Sequence, residues 1–74
     1  MLLNECPLRQ RVYVTSVDCG SRYELRLGEL GIRPGVQLIV TQKASFGGLV
    51  INVAGARLAV DHRSARQITV EAAL

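Results

Sequence analysis

Residues 27–40 read LGELGIRPGVQLIV, and no other stretch limits the possible folds of this chain as strongly. Tyr23, Leu27 and Leu30 recur at intervals of four and three, which marks one face of a short helix. Gly31 follows as its stop signal, in the position where a helix ends in the left-handed conformation. Ile32 and Leu27 are then the two apolar residues whose contact commonly closes such an end. Pro34 presets φ for the first central position of a turn, and Gly35 supplies the positive φ needed at the second, which is type II chemistry. The chain must therefore leave a helix and enter a strand within four residues.

The start of the same helix is marked by Ser21 with Glu24 three residues on, a capping-box pattern that makes Ser21 the expected N-cap. Gly28 lies inside the helix and costs about 1 kcal/mol relative to alanine. Its role is open at this stage: either another backbone approaches closely there, or the helix tolerates a weak point.

The remaining segments alternate with period two. RVYVTSV (11–17), VQLIVTQKA (36–44), LVINVA (49–54), RLAV (57–60) and ITV (68–70) read as short strands. Ala54-Gly55 fits a tight hairpin loop. Phe46-Gly47-Gly48 is expected to form another turn. Asp61 is positioned to cap one helical turn within DHRSARQ (61–67). Five strands and one inserted helix predict an all-β fold, a small barrel with a short helix between its first and second strands. Closure of the barrel would remove exposed edges, and the helix would cover one open end with its apolar stripe.

At 74 residues, the chain is expected to be one domain over 1–74 with a single small core. Little material is left for a cleft, which argues against an enzyme. No P-loop occurs. The two cysteines, Cys6 and Cys19, form no CxxC pair, and His62 is the lone histidine, so no metal site is expected. The chain carries nine basic and six acidic residues without a polybasic block, which predicts a surface of modest positive bias. With no apolar run of membrane-spanning length and no signal-peptide core, a soluble cytoplasmic chain is expected.

The frame Leu27-Gly28-Glu29-Leu30-Gly31-Ile32-Arg33-Pro34-Gly35 resembles that of the ferrous iron transport protein A family (FeoA). The glycine pair at 47–48, the alternating strand, the glycine hairpin, RLAV and ITV continue the resemblance, as does the lead-in Leu3-Asn4-Glu5-Cys6-Pro7, so it spans about residues 2–71. The resemblance implies an SH3-like β-barrel with a helical insertion. It also implies a small cytoplasmic accessory of a membrane ferrous-iron transporter that carries a G-protein domain, with no enzymatic activity and no cofactor. This chain departs from the family pattern at Gly28, in the loop Ala44-Ser45-Phe46, which lacks a proline, and in Asp61-His62-Arg63-Ser64-Ala65.

Function is therefore expected to reside in a contact surface. Arg26 and Arg33, flanking the helix–turn junction, and Phe46, in the following loop, are the expected partner-binding residues, because aromatics and arginines are enriched at protein interfaces. Ser21, Glu24, Gly31, Pro34, Gly35 and Gly55 are expected to be architectural. Two alternatives stand beside this reading. One is a free-standing regulatory domain related to the C-terminal domain of metal-dependent repressors. As a stand-alone repressor it would need a second helix to read DNA. The other is a small nucleic-acid-binding barrel. It would need more stacking aromatics than Tyr13, Tyr23 and Phe46, so no nucleic acid is expected.

Overall fold

The computed structural model describes residues 1–18, 20–45 and 47–73, and of Ser21 the backbone alone. It contains five strands: β1 (Arg11–Val17), β2 (Gln37–Lys43), β3 (Leu49–Val53), β4 (Ala56–Val60) and β5 (Ile68–Ala72). Two helices interrupt them, α1 (Ser21–Glu29) after β1 and α2 (His62–Ala65) after β4. All neighbouring strands are antiparallel, in the spatial order β4-β3-β2-β1-β5. The fold is mostly β, as the period-two alternation predicts.

One face of this sheet is the core. Val12, Val14, Leu38, Val40, Ile51, Ile68 and Val70 are all buried, and they form one cluster with Leu3, Cys6, Leu27 and Ile32. A single sheet can bury one face of its own only by curling over it. The curl is built at two bulges, where β1 and β2 each carry one residue more than the partner strand. The extra residue is a threonine both times. The Thr15 hydroxyl donates to the Thr69 carbonyl of β5 at 3.1 Å, and the Thr41 hydroxyl donates to the Val50 carbonyl of β3 at 3.1 Å. Each hydroxyl thus supplies a cross-strand bond where the backbone ladder is interrupted.

The curl stops short of the full closure that the sequence suggested. β4 and β5 are the two outer strands and are not paired with each other. The four-residue α2 joins them across the gap. Asp61 caps α2, its carboxylate accepting the Ser64 amide at 3.3 Å. The two edges are treated differently. On β5, the Val70 amide donates to the Met1 carbonyl at 2.7 Å, the Met1 amino group donates to the Val70 carbonyl at 2.9 Å, and Leu2 bridges to Thr69. Glu5 holds that segment in place by accepting the Leu2 amide at 2.9 Å. The edge of β4 has no such cover among the described residues.

The helix–strand junction follows a Schellman pattern. Gly31 lies at φ 100°, its amide donating to the Gly28 carbonyl at 3.1 Å, while the Ile32 amide reaches back to the Leu27 carbonyl at 2.8 Å. Pro34 and Gly35 then form a turn closed by the Val36 amide on the Arg33 carbonyl at 3.2 Å, with Gly35 at φ 92°. At the other end the structure corrects the reading of Ser21. The Glu24 amide donates to the Gly20 carbonyl at 2.9 Å, so Gly20 is the N-cap and Ser21 is already the first helical residue. Glu24 consequently sits one position too late for a capping box and acts as an acid in the positive first turn.

Replacing Thr15, half-buried, by valine is expected to cost about 1 kcal/mol, and Thr41→Val less because Thr41 is exposed. Urea denaturation of both variants measures the order. At Asp61 the hydrogen bond from Ser64 holds the carboxyl below the usual aspartate value of 3.8. A depressed folded value means that the contribution is present above the unfolded value and is lost as pH falls through the folded one. Asp61→Ala should therefore destabilise by about 1 kcal/mol at neutral pH. The gap to wild type should close under acid, as read from urea midpoints between neutral pH and pH about 2.

Candidate functional site

Helix α1 is strung between two strands and docks only by its last turn. Leu27 is buried, and Ile32 just beyond the helix carries the contact into the core. Tyr23 and Leu30, which the four-and-three spacing placed on the buried face, are 55% and 50% exposed, and Leu25 is 69% exposed. The correction has a simple cause. Successive residues of a helix turn by about 100°, so Tyr23 and Leu30 lie roughly 40° and 60° round to the same side of Leu27 and Leu25 lies nearly opposite; a helix touching the core along one narrow line at Leu27 leaves all three in solvent. Four large apolar groups were available and the barrel end accepted one.

Tyr23 lies at the centre of the resulting surface. It lines one depression of about 220 Å³ with Arg22 and Arg26, and another of about 200 Å³ with Arg63, Ser64 and Gln67. It also lines a slot of about 200 Å³ between α1 and β4. The α1 wall of the slot is Tyr23, Arg26, Leu27 and Leu30; the opposite wall is Leu58, Ala59 and Val60 of β4, with Asp61 and Ser64 at its end. Among the described residues, Arg22, Arg26, Arg57 and Arg63 form no ion pair. Asp61 is the acid in the slot, and it is committed to α2. The surface is an exposed aromatic and two leucines ringed by uncompensated guanidinium groups.

Of the expected contact residues, Arg26 and Arg33 are described. Arg26 lines the slot. Arg33 is exposed on the turn after Gly31 and lines none of these depressions. Phe46 and Cys19 lie outside the described residues. Sequence reasoning missed Tyr23, Leu58 and Arg63. The available signal was the surplus of apolar residues on a nine-residue helix, more than one narrow stripe can bury.

Other candidates carry less chemistry. A larger groove of about 500 Å³ runs over β2, β3 and β4, lined by Gln42, Ala44, Val50, Ala59 and neighbouring aliphatic groups. Asp61, again, is its one ionisable lining residue among those described. Cys6 is fully buried; desolvation raises its pKa against the opposing pull of Lys43, and its thiol donates to the Pro7 carbonyl at 3.4 Å. It is therefore held as a thiol, the form that neither attacks nor ligates. The His62 ring lies against Gly47, where any added Cβ would run into it.

A family model described as the FeoA domain matches residues 1–72. Among solved structures, the chain is similar to the FeoA protein of Chlorobium tepidum, with 33% identity over 97% of this chain and 70% of that one, at a TM-score of 0.89. It is also similar to FeoA of Stenotrophomonas maltophilia, with 32% identity over 96% of this chain and 89% of that one, at a TM-score of 0.78. That protein was solved with zinc, described as an SH3 domain protein, and put forward as a candidate bacterial ferrous iron transport activating factor. A FeoA-like protein from Clostridium acetobutylicum is 25% identical over 100% of this chain and 87% of that one, at a TM-score of 0.84. No curated protein matches the sequence. Among the described residues of this chain, no group of three or more His, Cys, Asp or Glu side chains could hold a metal ion.

Gly28 can be assigned from the same geometry. Among the described residues, no heavy atom lies within 4 Å of where its Cβ would be, so it makes no close backbone contact. Gly28→Ala is expected to stabilise the protein by about 1 kcal/mol, raising Tm by roughly 4–8 °C in a thermal melt.

Proposed function

The chain belongs to the FeoA domain family, which is associated with ferrous iron transport, and on that premise we propose that it docks on the cytoplasmic part of a membrane ferrous-iron transporter bearing a G-protein domain. The family is a small transport-associated accessory domain and not a known enzyme family. The reading makes this chain a contact module that acts in the cytoplasm and reaches the membrane through its partner. No helix among the described residues is long and apolar enough to cross a membrane.

The observation that supports the reading is the α1 surface. Tyrosine and arginine are the residue types that dominate binding energy at interfaces, and here Tyr23 is exposed between Arg22, Arg26 and Arg63. Leaving Tyr23, Leu25 and Leu30 in water gains nothing for folding, whereas covering them returns roughly 25 cal/mol for each Å² of apolar area. The proposed contact includes Arg33, exposed on the turn after the helix, and on the sequence reading Phe46. The surrounding guanidinium groups would steer an acidic partner and speed its approach at low salt.

Titration calorimetry with the soluble G-protein part of such a transporter tests this reading. Saturable binding is expected, with Tyr23→Ser and Arg26→Glu each weakening it about tenfold or more, a loss of about 1.4 kcal/mol. Leu8→Ser, another exposed apolar site outside the slot, should leave it unchanged. Absence of binding, or binding indifferent to both α1 substitutions, rules the reading out.

A further inference from the structure

We propose that the open edge of β4 receives an extended acidic segment of a partner protein as an additional strand, laid in the slot between β4 and α1. The proposal rests on the reading of the α1 surface as the docking face and specifies how that face is used.

The register shows which groups are free. β3 and β4 are joined by Ala54-Gly55, both at positive φ (52° and 83°), a type I′ turn closed by the pair Val53↔Ala56. Antiparallel pairs alternate between hydrogen-bonded and non-hydrogen-bonded. Counting from the turn, Val53↔Ala56, Ile51↔Leu58 and Leu49↔Val60 exchange bonds, while Asn52↔Arg57 and Val50↔Ala59 do not. Arg57 and Ala59 therefore direct their N–H and C=O groups away from β3, toward the outer edge. Among the described residues nothing accepts or donates there.

The edge is also accessible and unguarded. Leu58, Ala59, Val60 and Asp61 all line the slot. Successive strand side chains alternate faces, so a hollow that touches four consecutive residues opens onto the strand's edge. β4 has five consecutive pairs with no bulge and contains no proline. Proteins usually blunt such an edge, and this one does so at β5 with its own residues Met1 and Leu2.

The walls select the occupant. Tyr23, Leu30 and Leu58 present apolar surface to alternate side chains of an incoming strand. Arg26 lines the slot, Arg22 and Arg63 flank it through Tyr23, and Arg57 stands on the accepting strand. Glu24 and Glu29 do not line it, and Asp61 already accepts the Ser64 amide. The balance is cationic, so the fitting segment alternates apolar and acidic residues. Addition of a strand to a sheet edge derives affinity from main-chain bonds and specificity from alternate side chains. A nucleic acid has no comparable row of amides, and a lipid surface cannot enter a concave slot.

The test uses a short acetylated peptide alternating valine and glutamate, its valine–lysine counterpart, and the transporter's G-protein part, each titrated into the full chain while amide exchange and shifts are followed by NMR. The acidic peptide should slow exchange of the Arg57 and Ala59 amides and shift Tyr23 and Arg26, and the lysine peptide should do neither. Ala59→Pro removes one outward N–H without touching the β3 ladder, and it should weaken both acidic-peptide and G-protein binding by about tenfold or more. A folded Ala59→Pro variant is recognised by unchanged β3 amide protection. Arg57→Ala, which keeps the backbone groups, should weaken binding less. No effect of the acidic peptide overturns the proposal. So does protection of Arg57 and Ala59 that rises with protein concentration alone, since that is pairing with a second copy. Saturation instead by single-stranded DNA or anionic vesicles overturns it as well. If the G-protein part binds wild type and Ala59→Pro equally, strand addition fails while the docking reading survives. If the peptide binds at β4 and the G-protein part does not bind at all, the docking reading fails and the slot stands.

Discussion

The hydrogen bond from the Ile32 amide to the Leu27 carbonyl, at 2.8 Å, sets the geometry on which the rest of the molecule depends. It closes α1, and it brings together two residues that both enter the core. The turn that follows is tied to β1, the Gly35 amide donating to the Val14 carbonyl at 2.8 Å and the Val14 amide to the Val36 carbonyl at 2.9 Å. The helix is thereby held at one end by a few backbone bonds and one buried leucine. A helix of nine residues is marginal by itself in water, so its persistence rests on this junction. The same tether keeps the rest of the helix off the core, which is why Tyr23, Leu25 and Leu30 remain available for contact.

A second constraint is the treatment of sheet edges. A sheet of five short strands can shelter its apolar face by bending, and the two threonine bulges supply the bend without leaving the interrupted ladder short of bonds. Bending brings the outer strands toward each other without pairing them. The N-terminal segment covers one, through Met1 and Leu2, and the other stays open beside the exposed side of α1. Arg26 lines that open side, Arg22 and Arg63 flank it through Tyr23, and Arg57 stands on β4. Fold and candidate interface thus have a common origin in the way this short chain closes incompletely.

Three groups often associated with chemistry have structural roles among the described residues. Cys6 is kept as a buried thiol, Asp61 is spent on the α2 cap, and the His62 ring is packed on Gly47. The α1 face presents apolar area and positive charge, properties that suit recognition. This agrees with membership of a transport-associated family of small domains.

Much of the fold was legible in the sequence because it is encoded over short range. The alternation of valines with polar residues marks each strand, Gly31 and Pro34-Gly35 dictate backbone shapes that few other residues accept, and the frame around them identifies the family. The start of α1 was misread by one residue because both Gly20 and Ser21 suit an N-cap, and local composition does not choose between them. The site was less legible. Periodicity places Tyr23, Leu27 and Leu30 on one side of a helix, but it does not say how wide a strip the barrel end will cover. That width depends on how the curled sheet presents itself to the helix, a relation between residues far apart in the chain. The pairing of an exposed Tyr23 with Arg63, the open edge of β4 and the covered edge of β5 have the same origin. The sequence by itself determined the elements, their order and the junction between helix and strand, through backbone preferences acting within a few residues. Only the tertiary structure decided which apolar side chains stay in water and which strand edge stays unpaired, because burial and pairing are set by contacts between segments that no local pattern records.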